Sequence, residues 1–268
     1  MKKLSIVLLM TLLLLFSMAG CSASNDPVEH RATFVLVHGA WQAPYVWTGV
    51  KEALEKQGQK VVLVELPAHG NDQTPPASVS MAVYSQKVMD VIAGLKGKVV
   101  LVGHSMGGVV ITAVAEKMPE KIDKLVYVGA FVPASGQSLS DLAMTDAEAL
   151  LGKSIIVSKD QLTLDIVKAD LINIFCQDAP PAVQQLVQEK FRVEPAIPFG
   201  DKIILSSKFQ AVDKYYIHTT MDHAIGMKLQ QRMVAAAGIT KVFSIATGHS
   251  PFLSKPAELA KLLLNITQ

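Results

Sequence analysis

The sequence predicts an α/β protein: a mostly parallel sheet covered by helices on both faces, with a helical cap inserted late in the chain. Three observations carry this reading. Short apolar, β-branched runs alternate with stretches whose apolar residues recur at helical spacing, as strands joined by crossover helices do. Between about residues 133 and 210 that alternation stops and only patchy helical faces remain. The most apolar run, Val99-Val100-Leu101-Val102, carries no charge and leads into a serine bracketed by glycines. Such a run suits a strand buried on both faces that turns sharply into a helix.

Residues 1–20 open on Lys2 and Lys3, run apolar from Leu4 to Phe16 and close on Ser17-Met18-Ala19-Gly20, the layout of a secretory signal peptide. The apolar stretch is shorter than the roughly 20 residues a spanning helix needs. Cys21, directly after Ala-Gly, resembles the lipobox of bacterial lipoproteins, in which the cysteine becomes the lipidated first residue. Met18 departs from the leucine that pattern prefers, and an ordinary cleaved signal with an incidental Cys21 is the alternative. Ser22 stands where an aspartate would signal retention at the inner membrane. The expectation is therefore a signal peptide over 1–20, a lipid anchor on Cys21, a polar tether over 21–31 and one folded domain over 32–268. The protein would sit in a bacterial cell envelope, on the periplasmic or outer-membrane side.

The formal charge of the whole chain is +2, and loss of residues 1–20 removes two lysines and no acid, leaving zero. With no basic block and no interleaving of aromatic and basic residues, nothing predicts a nucleic-acid partner. Cys176 is the one cysteine besides Cys21, so the folded domain holds no internal disulfide. Among Ile172, Ile174 and Phe175 it reads as a small buried hydrophobe.

Thr33 to Val37 reads as the first strand, followed by the loop His38-Gly39-Ala40. A helix then carries Trp47, Val50 and Leu54 on one face, with Gly58 just past its end. Val61 to Leu66 is the second strand and runs into the turn cluster Pro67-Ala68-His69-Gly70-Asn71-Asp72. A helix from about Val79 to Leu95 leads to the strand before the serine. After it, Val109, Val110, Ala113 and Val114 give a helical face that Pro119 stops. Lys124 to Val128, Tyr215 to His218 and Val242 to Ile245 complete the strands. Leu259, Leu262, Leu263 and Ile266 give the last helix its core face, with Pro256 in its first turn and Ser254 as expected N-cap. In the strandless segment, Leu142, Met144, Leu150, Leu151, Phe175 and Phe191 supply the apolar faces, and Pro180, Pro181, Pro195 and Pro198 cut it into short pieces. This is the expected cap; helices that simply complete the core are the alternative.

Gly103-His104-Ser105-Met106-Gly107 has the G-x-S-x-G spacing of a nucleophile elbow, with the required strand before it and helix after it. A serine hydroxyl needs a base within hydrogen-bond reach. In triads built on such an elbow, the acid and then the histidine follow the serine in the chain. Only His218, His223 and His249 lie after Ser105, and His249 follows the last strand on the loop to the final helix. The acid should end the preceding strand, which selects Asp222 over Asp213 at the opposite edge. Asp222 could equally cap the backbone before Ala224, and the two roles are compatible. The oxyanion needs preorganised donors, for which the Met106 amide at the helix start and the Ala40 amide after the first strand are placed. His38 is expected to organise its loop, while Trp41, Tyr45 and Trp47 pack the loop and the pocket wall. A cap rich in Leu, Met and Phe above this centre suits an apolar or aromatic substrate.

Together, Phe34-Val35-Leu36-Val37-His38-Gly39-Ala40-Trp41, Gly103-His104-Ser105-Met106-Gly107-Gly108 and Gly248-His249-Ser250-Pro251-Phe252 resemble the α/β-hydrolase-fold serine esterases. More narrowly they are similar to the branch of plant methylesterases, hydroxynitrile lyases and small bacterial esterases. The resemblance implies a triad of Ser105, Asp222 and His249, an oxyanion hole of Ala40 and Met106, and no metal or organic cofactor. It implies hydrolysis of small carboxylic esters through an acyl-enzyme. Hydroxynitrile lyases carry a threonine where this chain has Gly39, and a lysine where it has Ser250. A lyase is therefore the less favoured reading, and a non-catalytic binder of a small ligand on the same fold is the other alternative.

Overall fold

The computed structural model describes residues 31–268. The expected signal peptide, Cys21 and all of the tether before Arg31 lie outside the described residues. Within them, six strands form one parallel sheet in the order β2-β1-β3-β4-β8-β9. These are β1 (Thr33–Val37), β2 (Lys60–Val64), β3 (Val99–Ser105), β4 (Ile122–Ala130), β8 (Lys214–Thr219) and β9 (Lys241–Ile245).

The central strands are apolar throughout because both of their faces are covered. In β1, Phe34 and Leu36 face one hydrophobic layer and Val35 and Val37 the other; Val100 and Val102 in β3 alternate in the same way with Val99 and Leu101. One layer is closed by α1 (Thr48–Glu55), α11 (Pro251–Ser254) and α12 (Pro256–Thr267), the other by α2 (Met81–Ala93), α3 (Gly107–Lys117) and α10 (Met227–Ala236). At the sheet's edge β9 is largely exposed. The chain leaves β1 for β2 on one side and crosses to β3 on the other, so the strand order reverses between β1 and β3. Loops leaving such a switch point at the carboxyl ends of the strands frame a crevice, and both the His38 loop and Ser105 leave there.

The segment from 133 to 210 holds α4 (Leu139–Ala143), α5 (Leu151–Ser154), α6 (Leu171–Phe175), α7 (Pro181–Lys190), α8 (Ile197–Gly200) and α9 (Ser207–Gln210). It also contains a small antiparallel sheet that the pattern did not predict, formed by β5 (Ile155–Val157), β6 (Thr163–Ile166) and β7 (Glu194–Pro195). Strands of three, four and two residues, one ending in proline, are too short to show a period of two. Ser254 is not the N-cap of the last helix. Pro251 opens an extra turn that takes Ser254 as its last residue, Lys255 becomes the N-cap, and the Ser254 hydroxyl is buried without a partner among the described residues.

Candidate active site

At the elbow the chain turns from β3 into α3 with Ser105 at φ 53°, a left-handed conformation costly for a residue with a Cβ. The glycines make that turn possible. A Cβ on Gly103 would lie 2.6 Å from the Gly107 carbonyl oxygen, and one on Gly107 would lie 2.7 Å from that of His38. Ser105 is 7% exposed, at the floor of a cavity of about 580 Å³. Ala40 and Met106 line the same cavity, and neither amide N–H is taken up by an acceptor among the described residues. Met106 directly precedes α3, so its amide is one of the unpaired donors at a helix start. The remaining lining is mainly apolar, with Trp41 and Phe131 beside the sheet and Leu139, Leu151, Leu164 and Phe199 from the 133–210 segment expected as cap, whose buried side chains also join the main core.

Asp222 lies beyond the end of β8 and His249 beyond the end of β9, and the two side chains meet. His249 Nδ1 lies 2.9 Å from Asp222 Oδ2 and 3.1 Å from Oδ1, with the ring 1% and the carboxylate 0% exposed. Asp222 Oδ1 also accepts from the amides of Ala224 (2.7 Å) and Ile225 (2.9 Å), and Oδ2 accepts from Thr219 Oγ1 at 2.7 Å. Both roles foreseen for this aspartate therefore coexist, although the capped turn precedes α10 rather than starting it. As an acceptor facing Nδ1, Asp222 selects the ring tautomer with its proton on Nδ1, so that Nε2 is the acceptor. Ser105 Oγ and His249 share no hydrogen bond here; in unliganded hydrolases that contact commonly tightens only with substrate bound. The other late histidines are engaged elsewhere, His218 with Gln230 Oε1 and His223 with the Asn173 carbonyl. Asp213 bonds to Tyr215 and Lys241 at the far end of β8.

Two buried histidines frame the site without titrating near neutrality. His38 donates from Nδ1 to the Gly39 carbonyl at 2.8 Å and accepts the Leu66 amide on Nε2 at 3.3 Å, bracing the loop that ends in Ala40. Burial pushes its imidazole down to about 3, and neighbouring His69 adds to the depression. His104 donates from Nε2 to the His249 carbonyl at 2.8 Å, while its Nδ1 is buried without a partner among the described residues. Burial, with His249 alongside, holds it well below the ordinary histidine range. Both rings take up protons more readily in the unfolded chain than in the fold, so stability is full above pH about 6.5 and declines as pH falls below it. The loss should reach about 1.4 kcal/mol per pH unit for each histidine over the acid range. Urea-unfolding midpoints followed from about pH 7.5 to 4 should drop steeply; a flat profile would contradict the burial of neutral rings.

Of the aromatic residues near the first loop, Trp41 lines the cavity, whereas Trp47 is core and packs on Phe252 with ring centroids 4.5 Å apart. Tyr45 lies outside this cavity. Three contacts from the cap carried no sequence signal. Gln177 Nε2 donates to the Met221 carbonyl beside Asp222 (2.8 Å), Asp178 Oδ2 accepts the Gly248 amide beside His249 (2.9 Å), and Glu194 accepts the Trp41 amide beside Ala40 (2.8 Å). The Ala40, Asp222 and His249 loops are thus each tied to the cap.

The chain matches the model of the alpha/beta hydrolase family over residues 34–262 and belongs to that family. A chloroplastic protein numbered 13 among the methylesterases of Arabidopsis thaliana is 31% identical over 252 residues, 88% of this chain, and the chain spans 56% of that relative's length. Polyneuridine aldehyde esterase of Rauvolfia serpentina is 28% identical, with 92% of this chain and 98% of the relative covered. Among solved structures, an extracellular alpha/beta-hydrolase from a Paenibacillus species superposes with a TM-score of 0.76 at 28% identity, covering 87% of this chain and 98% of that one. The first two lie, by name, in the methylesterase and esterase branch that the motifs resemble.

Proposed function

We propose that this protein is a serine hydrolase that cleaves carboxylic esters of small, apolar substrates through an acyl-enzyme on Ser105. The observation that carries the reading is the meeting of Asp222 with His249 on the rim where the elbow presents Ser105 to an apolar cavity. With its proton held on Nδ1, His249 takes the Ser105 proton on Nε2 as Oγ attacks the ester carbonyl. The oxyanion accepts from the Ala40 and Met106 amides, each such donor being worth roughly 3 to 4 kcal/mol of barrier. Nε2–H then protonates the leaving alcohol. A water, deprotonated by the same nitrogen, releases the acid and restores Ser105.

Two positions favour hydrolysis over cyanide elimination, which needs a cation beside the leaving group. A Cβ at Gly39 would lie 2.8 Å from Ser105 Cβ and 2.9 Å from His104 Nδ1, so a threonine does not fit there. Ser250, in place of a lysine, is buried and accepts from Gln42 Nε2 at 3.1 Å.

The lipobox-like Cys21 supports placing the enzyme at a bacterial envelope membrane. The test is fluorophosphonate labelling of cells expressing the full chain, followed by fractionation and by assay of p-nitrophenyl esters graded in acyl length. Ser105 is expected to label, short apolar esters to be cleaved, and the labelled protein to leave the membrane fraction in Cys21→Ser. An unlabelled, inactive protein would make it a ligand binder instead, and unchanged membrane association of Cys21→Ser would remove the anchor.

A further inference from the structure

The cap presents one carboxylate with no exposure at all. Glu194 lies in β7 and reaches out of the cap into the core. Its Oε2 accepts from the Trp41 amide at 2.8 Å and from His69 Nε2 at 2.7 Å, and its Oε1 accepts from the Tyr84 hydroxyl at 2.9 Å. These donors come from three separate parts of the core: the loop after β1, the turn after β2, and α2. The other nitrogen of His69, Nδ1, lies 2.9 Å from the Pro67 carbonyl. With an acceptor on each side, both ring nitrogens carry protons, and His69 is an imidazolium paired with a carboxylate. Burial alone would keep that ring neutral; Glu194 beside it raises its proton affinity above the ordinary range.

A buried ion pair is weak evidence for stability, since apolar residues of the same volume often do as well. What this pair holds is a peptide of the candidate oxyanion loop. The Trp41 amide directly follows Ala40, and Trp41 sits at φ 59°, where a bulky side chain is strained. Its indole Nε1 donates to the Leu164 carbonyl at 2.9 Å, and Leu164 is the register partner of Glu194 in the small cap sheet. Backbone and side chain of one strained residue are thus gripped by two paired residues of the cap. A donor must be aimed at where the oxyanion will form, and a loop left to chance aims it poorly.

We propose that Glu194, held by His69 and Tyr84, is a positioning residue whose bond to the Trp41 amide sets the direction of the Ala40 N–H and so makes turnover depend on the cap. The proposal rests on the serine-esterase reading. It concerns the transition state, so kcat should respond and KM should not.

The experiment compares three variants of the full chain by steady-state kinetics on a cleaved p-nitrophenyl ester and by thermal unfolding. Glu194→Ala removes the acceptor, leaves buried His69 to shed its proton, and tests the bond directly. Glu194→Leu combined with His69→Leu removes both charges, so a folded protein without the bond is obtained even where Glu194→Ala is unstable. Glu194→Gln keeps an amide oxygen that can accept from Trp41 and an amide that can donate to the Tyr84 hydroxyl. The double variant is expected to unfold cooperatively and to lose about 10- to 100-fold in kcat, with KM within about two-fold of wild type. Glu194→Gln should recover kcat to within about three-fold of wild type. A folded double variant with wild-type kcat, a loss confined to KM, or a Glu194→Gln variant as slow as the double would each overturn the proposal. Wild-type protein that neither labels at Ser105 nor cleaves esters overturns the esterase reading itself, and this inference with it.

Discussion

Ser105→Ala should lower kcat for ester hydrolysis by about 10⁶-fold and leave the fold intact. The loss is large because no other group near the carbonyl can form the acyl-enzyme; what remains is whatever two amide donors and binding can do with a water. Stability should change little. Among the described residues Ser105 Oγ has no hydrogen bond to lose, alanine keeps the Cβ that packs against Gly39, and the strain of φ 53° falls equally on either residue. Thermal unfolding beside active-site titration checks both halves. Residual hydrolysis within about 100-fold of wild type, after contaminating esterase is excluded by titration, would place the nucleophile elsewhere.

The elbow was readable because everything it needs lies within a few residues of Ser105. A strand buried on both faces, two glycines at fixed offsets and a helical face ended by Pro119 are local patterns, and the fold realises each. Asp222 and His249 were readable for a different reason. A parallel sheet puts the ends of successive strands on one rim, so position along the chain predicts proximity in space. Glu194 had no such handle. Its partners Trp41 and His69 lie 153 and 125 residues away, and its strand is two residues long with a proline. As a sequence feature it is one acid in a proline-cut helical segment, where a solvent-facing side chain is the ordinary expectation. His69 was visible only as part of a turn cluster, since nothing local tells a buried imidazolium from a loop histidine. Gln177 and Asp178 were hidden in the same way. Local patterning reveals which groups stand at the rim; the long-range polar contacts that hold them still come from the cap, where patterning is weakest.

Those contacts change what the cap is for. Besides walling an apolar cavity, it ties the Ala40 loop through Glu194, the Asp222 loop through Gln177 and the His249 loop through Asp178. Of these links the Glu194 bond is fully buried, the Asp178 bond half-buried and the Gln177 bond exposed. Substitutions in the cap that alter the cavity shape therefore act on the geometry of the reacting groups as well as on substrate fit.

Asp222→Asn should cost about 10⁴-fold in kcat, and the structure says why the change is not conservative. The site of Oδ1 faces two backbone donors, the Ala224 and Ile225 amides, so the asparagine oxygen must occupy it. The asparagine NH₂ is then left at the site of Oδ2, 2.9 Å from His249 Nδ1 and 2.7 Å from Thr219 Oγ1. The nearer of the two contacts of Nδ1 (2.9 Å against 3.1 Å) is then a donor, which favours Nδ1 as acceptor and the ring proton on Nε2. That tautomer cannot take the proton from Ser105. The defect lies in protonation rather than in shape, so KM should stay within about three-fold of wild type while kcat falls. It should also ease as pH rises and hydroxide substitutes for the lost base. Asp222→Ala, which strips the Ala224 and Ile225 amides of their acceptor as well, should add a loss of stability of about 1 to 3 kcal/mol that Asp222→Asn does not show. An Asp222→Asn kcat near wild type would mean that the carboxylate does not hold the His249 tautomer, and equal unfolding midpoints for the two variants would mean that the Ala224 and Ile225 amides do not depend on this acceptor.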